Sequence, residues 1–477
     1  MPVLRRLVCK ISRIVAGSLT VGVLFGPQKP EPEGDRLLDK MMRLTIFLLP
    51  VLASSATTPV TYADVRPVME RRCVGCHQKG EIAPMALGSY AETRPWAKAI
   101  RQAVLMRTMP PWQADAETSK RMHNSRLLPE AEVRQLVDWV DGGALEGRPM
   151  GPFAVAKREA GWGLGKPDLV IRIPGYEVPE SGTLRYTFLV TPTDLPEDMW
   201  VSAAEWKIDQ RAVVHHINAF VRPPGSSYVA TAPKGQLYVA SGTERSFRHP
   251  NEREIDRREL LLGYEPGYRP MAWGPRQGKL IRKGSDIVFE IHFTANGKAV
   301  VDHSELGIYF AKKPPEERLV TITPADSKLA IPPGDANYRS FVWAELQSEA
   351  KLISLQPHMH LRGKAYRIEA VFPDGRRDLL IEVPRYDFNW QTTYFLKEPM
   401  KLPKGTKLEC TGWFDNSANN AANPDATKMI AWGDQSWEEM NVGFMEIAFD
   451  RRGDSDIVKL SDTTKPAPGK AVADPGR

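Results

Sequence analysis

The chain has 477 residues and a mass of 53.4 kDa, too long for one ordinary domain at about 150 residues each. Hydrophobic residues make up 42% and charged residues 26%, a globular balance that excludes whole-chain disorder, collagen-like repetition and a polytopic membrane protein. The net charge is +6, and residues 1–56, with eight basic and four acidic side chains, leave only +2 to the rest, so no nucleic-acid charge signature survives.

Residues 1–56 read as targeting sequence. Arg5-Arg6 precede an apolar run from Ile14 to Phe25, and Arg43 precedes another from Leu44 to Ala53; both are shorter than the about 20 residues of a spanning helix. Ser54-Ser55-Ala56 supplies the small residues of a signal-peptidase site, and Met41 or Met42 offers a second start. Sec-type export with cleavage after Ala56 is favoured over a twin-Arg signal at Arg5-Arg6 or a retained N-terminal anchor. The expected product is periplasmic or secreted, with no stable membrane span. Cys9 leaves with the signal and Cys410 has no partner, so no disulfide is expected.

The next predicted domain covers 57–148. Cys73-Val74-Gly75-Cys76-His77 is Cys-x-x-Cys-His, in which two thiols attach one covalent haem c and the His supplies an axial ligand. A short helix over Asp64–Glu70 leads into the motif. A second follows Pro129, with Val133, Leu136, Val137 and Val140 on one stripe and Gly142-Gly143 at its end. Helices around such a loop resemble a class I cytochrome c, a small all-α domain. The candidates for the second axial ligand are Met85, Met106, Met109, Met122 and His123. A thioether favours electron transfer, and Met109 is chosen because Met109-Pro110-Pro111-Trp112 resembles the Met-Pro-Pro-Trp loop of cytochrome modules fused to copper domains. Residues 149–166, rich in Gly and Pro, read as a linker.

From Pro167 to Asp450, short apolar runs separated by Pro and Gly give an all-β pattern, in line with forty prolines in the chain. Lys312-Lys313-Pro314-Pro315-Glu316-Glu317 divides it into halves, 167–313 and 318–450, each the size of a sandwich. Five histidines fall here: His215-His216, His292, and His358 with His360. Period-2 alternation puts Ile353, Leu355, Met359 and Leu361 on one face and Ser354, Gln356, His358 and His360 on the other, so both imidazoles can reach one metal. His292 shares its face with Val288 and Glu290. His215 and His216 can ligate one ion only at a strand end or bulge. From Arg451 onward the chain reads as a disordered tail, 451–477.

Residues 184–450 resemble the catalytic core of the copper type II, ascorbate-dependent monooxygenases, the dopamine β-monooxygenase and peptidylglycine hydroxylase family. His215, His216 and His292 match the three histidines of that family's first half. His358, His360 and Met440, the last within Glu438-Glu439-Met440, match the His-x-His and Met of its second half. The resemblance implies two jelly-roll-like sandwiches holding two coppers, one at the three-His site and one at the His/His/Met site, where a thioether favours Cu(I). It implies hydroxylation of a C–H bond of a small organic substrate by dioxygen, with catalytic residues His358, His360 and Met440. Electrons would pass from the haem to the three-His site, drawn from an external donor, ascorbate or a redox protein. Gln356 replaces the Arg of the peptide-hydroxylating branch, Val442 and Phe444 depart from the family's pocket lip, and Asn441 stands where a disulfide partner of Cys410 would be. A non-catalytic periplasmic copper-binding or electron-transfer protein is the alternative expectation.

Overall fold

The computed structural model describes residues 58–153, 161–239, 259–268, 270–452 and 457–461. The targeting segment and its cleavage site lie outside the described residues. Among the described residues no helix is long and apolar enough to cross a membrane. The architecture is mainly β, with the described helices all before residue 142.

The helices Tyr62–Arg72, Ala97–Leu105 and Glu130–Asp141 bury one apolar face each, and Val65, Met69, Val104, Leu136 and Trp139 form their common core. Thr61 and Asp64 cap the first helix reciprocally. Gly142 ends the third, where its N–H reaches Asp138 O. Beyond Met109 the chain leaves this core. Trp112 and Met122 are buried in the core of the C-terminal sandwich, and Met122 forms a β-bridge with Leu396. Residues 112–124 are thus a strap tying the helical segment to the distal half of the body. The described ends of the 149–166 segment are also docked. The Phe153 N–H donates to Gly88 O, while the Gly163 and Leu164 amides donate to Glu205.

Each half of the body pairs one five-stranded sheet with part of a nine-stranded sheet that runs through both. The stitch is a parallel pairing of Glu317–Ile322 with Gln277–Ile281, immediately after the Pro314-Pro315 break. Separate apolar cores fill the halves, one around Val201, Phe289 and Ile308, the other around Val342, Leu355 and Ile447. The sandwich architecture follows from sheets that bury apolar faces against each other.

Two expectations need correction. Strand Ala350–His358 has a bulge between Leu352 and Ser354, so its parity changes: Leu352 and Leu355 both enter the core, and Ile353 is only half-buried. The tail is not wholly disordered, because Val458–Leu460 pairs with Ala344–Leu346 as an edge strand and Ile457 is buried. Three apolar residues in a polar stretch were enough to add a strand.

Candidate metal centre

His216 and His292 sit directly opposite on the neighbouring strands Val214–Arg222 and Asp286–Phe293. The register then shifts between His292 and Phe293, so Phe293 pairs with Val214 and His215 is the extra residue of a bulge. That bulge lets two adjacent side chains turn toward one point. The three ring centroids are 5.3, 5.1 and 5.2 Å apart, and one nitrogen from each ring lies within 4.8 Å of the others.

His215 Nδ1 and His216 Nδ1 face each other at 3.1 Å, and His292 Nδ1 is buried without a hydrogen-bond partner. A buried imidazole nitrogen without a partner is costly unless a ligand satisfies it. Burial pushes His292 down to about 3, with His215 adding to the shift. His216 is held well below its ordinary value by burial and then by repulsion from His292, His215, His358 and His360. Burial lowers His215 as well, so all three rings favour the neutral form, the protonation state a metal requires.

His358 ends strand Ala350–His358, opposite Val442, and its ring centroid is 5.2 Å from that of His360. His358 Nδ1 lies 2.7 Å from Gln391 Oε1, and His360 Nδ1 lies 3.2 Å from the Glu438 carbonyl. With both Nδ1 atoms donating to oxygen, the lone pair of each ring is on Nε2. Glu439 is fully buried and accepts the backbone N–H groups of Arg362, His360 and Met440 at 2.6, 2.8 and 3.3 Å. Burial raises its carboxyl to about 8 against the pull of those amides and of Arg362. Met440 is buried just beyond this clamp, two residues from the Val442–His358 rung. Met445 instead fills the sandwich core.

The loop 387–392 lies between the two clusters. Phe388 stands 6.4 Å from His292 and 5.7 Å from His360, centroid to centroid. The Asn389 backbone hydrogen-bonds the His215 ring, while Gln391 holds His358. His215, His216, Glu265, Arg126, Gln391 and Thr392 line one narrow cleft. Gln356 spends its amide on Gln391 O at 2.8 Å, and Phe444 packs edge-on to His358 at 5.8 Å. Cys410 is buried, its thiol pushed up to about 12 by that burial, and it hydrogen-bonds Tyr366. Sequence reasoning missed Glu439 as a clamp and missed Gln391, Phe388 and Arg126 altogether. The Glu-Met dipeptide was the one available signal.

In the helical segment, Cys73 and His77 form one turn, the His77 N–H donating to Cys73 O at 3.0 Å. His77 Nδ1 faces Met85 O at 3.3 Å. Met106 is half-exposed, its sulfur taking a hydrogen bond from Gln102 Nε2. His123 stacks on Phe395 at 5.7 Å. The backbone places Met109 directly after helix Ala97–Leu105, its N–H on Ala103 O.

No family profile and no curated protein matches the chain. Among solved structures, the major capsid protein P2 of bacteriophage PM2 is 11% identical over 60% of this chain and 100% of its own, with a TM-score of 0.21. Infectious bursal disease virus of the Gx strain is 9% identical over 59% and 71%, with a TM-score of 0.18. The Gt strain is 8% identical over 61% and 73%, with a TM-score of 0.19. At such TM-scores these likenesses carry no argument.

Proposed function

We propose that the protein is an exported copper monooxygenase of the dopamine β-monooxygenase type, fused to a class I cytochrome c. The observation that supports this most is the arrangement of five imidazoles at one junction of two sandwiches, three on a strand bulge and two on the clamp next to Met440. The donor set suits copper: imidazoles whose neutral form burial favours at one place, and at the other an imidazole pair, with the thioether-bearing Met440 sharing the Glu439 clamp with His360. The Cys73–His77 turn suits haem, since a donating His77 Nδ1 leaves Nε2 for iron. Met109 remains the best sixth ligand. Met85 lies behind His77, Met106 is half-exposed, and Met122 and His123 face the C-terminal sandwich.

When bound, the haem would carry single electrons, and the copper pair would accept them and activate dioxygen for insertion into a C–H bond. The chain's residues prepare that chemistry. Burial keeps His216 and His292 neutral, Gln391 and the Glu438 carbonyl fix the tautomers of His358 and His360, and Glu439 locks the backbone between His360 and Met440. Phe388 and Phe444 exclude water around them.

The test is aerobic incubation of the copper- and haem-loaded chain with a reductant, isotopically labelled dioxygen and a panel of amines and other small organic molecules. Mass spectrometry finding one labelled oxygen in a product supports the reading. Two bound coppers with no labelled product from any compound would return the non-catalytic copper-binding alternative.

A further inference from the structure

The haem-attachment loop is docked as well as tethered. Glu81, in the segment between His77 and Met85, forms an ion pair of 3.1 Å with Arg211, the two side chains only 11% and 16% exposed. Arg211 lies over the Tyr264 ring at 5.6 Å, within the turn where the Val213 and Val214 amides donate to Gln210 O. That turn delivers the chain directly to His215 and His216. Tyr264 pairs with Ile217 one strand over, so the guanidinium is braced against the same sheet that carries the cluster.

A second foothold grips the loop between the clusters. Gln113 Nε2 donates to the carbonyls of Asp387 and Trp390 at 2.7 and 3.0 Å. Asn124 Nδ2 donates to Thr393 O at 2.7 Å, and Arg385 reaches Met106 O at 2.9 Å.

We propose, resting on the reading above, that Glu81–Arg211 is the docking key that holds the haem-bearing loop at the three-histidine cluster. Arg211 is then a positioning residue for one-electron delivery to that cluster. A partly buried ion pair between two segments gives register more than stability, since desolvation offsets most of its attraction. Each delivery moves one electron and no atom: haem iron goes from ferrous to ferric and one copper from cupric to cuprous. Two deliveries serve one hydroxylation, and an external one-electron donor, a small enediol or a redox protein, restores the haem. Fixed docking keeps the effective concentration of donor at acceptor high without a domain swing.

The experiment uses the full chain loaded with haem and copper, with the haem reduced by a light pulse through a flavin under anaerobic conditions. The wild type should reoxidise its haem in a first-order phase independent of protein concentration. Glu81→Gln and Arg211→Gln should slow that phase roughly tenfold, because the undocked loop no longer holds donor at acceptor at high effective concentration. The reversed pair, Glu81→Arg with Arg211→Glu, should recover most of the rate. Amide exchange in the copper-free chain gives a readout independent of turnover, with residues 73–87 and 210–216 losing protection together in the single variants. Wild-type rates in both single variants would overturn this inference alone. A loaded wild type with no haem-to-copper transfer would overturn the functional reading with it.

Discussion

In the three-histidine cluster a hydrogen-bonded ladder sets His216 opposite His292 and a bulge adds His215. At the second cluster the ladder stops at His358, and side chains from residues 391 and 439 take over. The facing nitrogens differ too. In the first cluster His215 Nδ1 and His216 Nδ1 face each other and His292 Nδ1 lacks a partner, whereas in the second both Nδ1 atoms face oxygen acceptors. A ladder fixes side chains to within the stiffness of a sheet. A clamp relies on a few hydrogen bonds to groups distant in sequence, and is easier to loosen one bond at a time.

The largest effect is expected where the ladder carries the ligand. On the proposed two-copper reading, His216→Ala should abolish copper binding at the first cluster while the second keeps its own, because the backbone rung opposite His292 survives and only the imidazole is lost. Metal analysis with electron paramagnetic resonance checks it. Equal loss at both places would mean that the clusters are not independent. Met440→Ala should spare the first cluster and lower cuprous affinity at the second by roughly ten- to a hundredfold, the scale for a lost metal-supporting group. Competition with a cuprous chelator measures this, and unchanged affinity would remove Met440 from the site.

Glu439→Gln should follow. Above about pH 8, where the Glu439 carboxyl is ionised, it accepts all three amide hydrogens, but an amide in its place turns a donor toward at least one of them. Leaving a buried N–H without an acceptor costs about 1–3 kcal/mol. Urea unfolding should report that loss together with weaker copper at the second cluster. A stability unchanged from wild type would mean that the carboxylate is not the clamp.

The two constructions also explain what could be read from sequence. Alternation in Asp286–Phe293 and Val214–Arg222 is a local pattern, so the strands, and the need for a strand end or a bulge at the His215-His216 pair, were legible. The bulge at Ile353 was not, because no residue type announces it. Gln391 and His358 are 33 positions apart, and Glu439 and His360 79 apart, so the clamp arises only from tertiary packing. The same holds for the strap. Trp112 and Met122 looked like parts of a helical domain, yet they bury themselves in a core whose remaining buried members, Ala114 apart, begin at Val320.

The smallest expected effect falls on Gln391, which touches both constructions. Its Oε1 accepts from His358 Nδ1 at 2.7 Å and its Nε2 is buried without a partner, while its side chain lines the same cleft as His215 and His216. Gln391→Met keeps the bulk and removes the acceptor. His358 can then exchange tautomers and turn its lone pair away from the metal, at the net worth of one hydrogen bond, about 0.5–1.5 kcal/mol. Copper affinity at the second cluster should fall a few-fold to about tenfold, and at the first cluster it should not change, because the ladder and the Asn389 backbone, not the Gln391 side chain, position those rings. Gln391→Glu should restore the second cluster, since a carboxylate accepts the same proton and makes the ring a stronger donor to metal. Site-resolved copper titration of the three proteins decides the matter. A parallel fall at both clusters in Gln391→Met would show that the Gln391 side chain supports the first cluster as well, and the contrast between ladder and clamp would not stand.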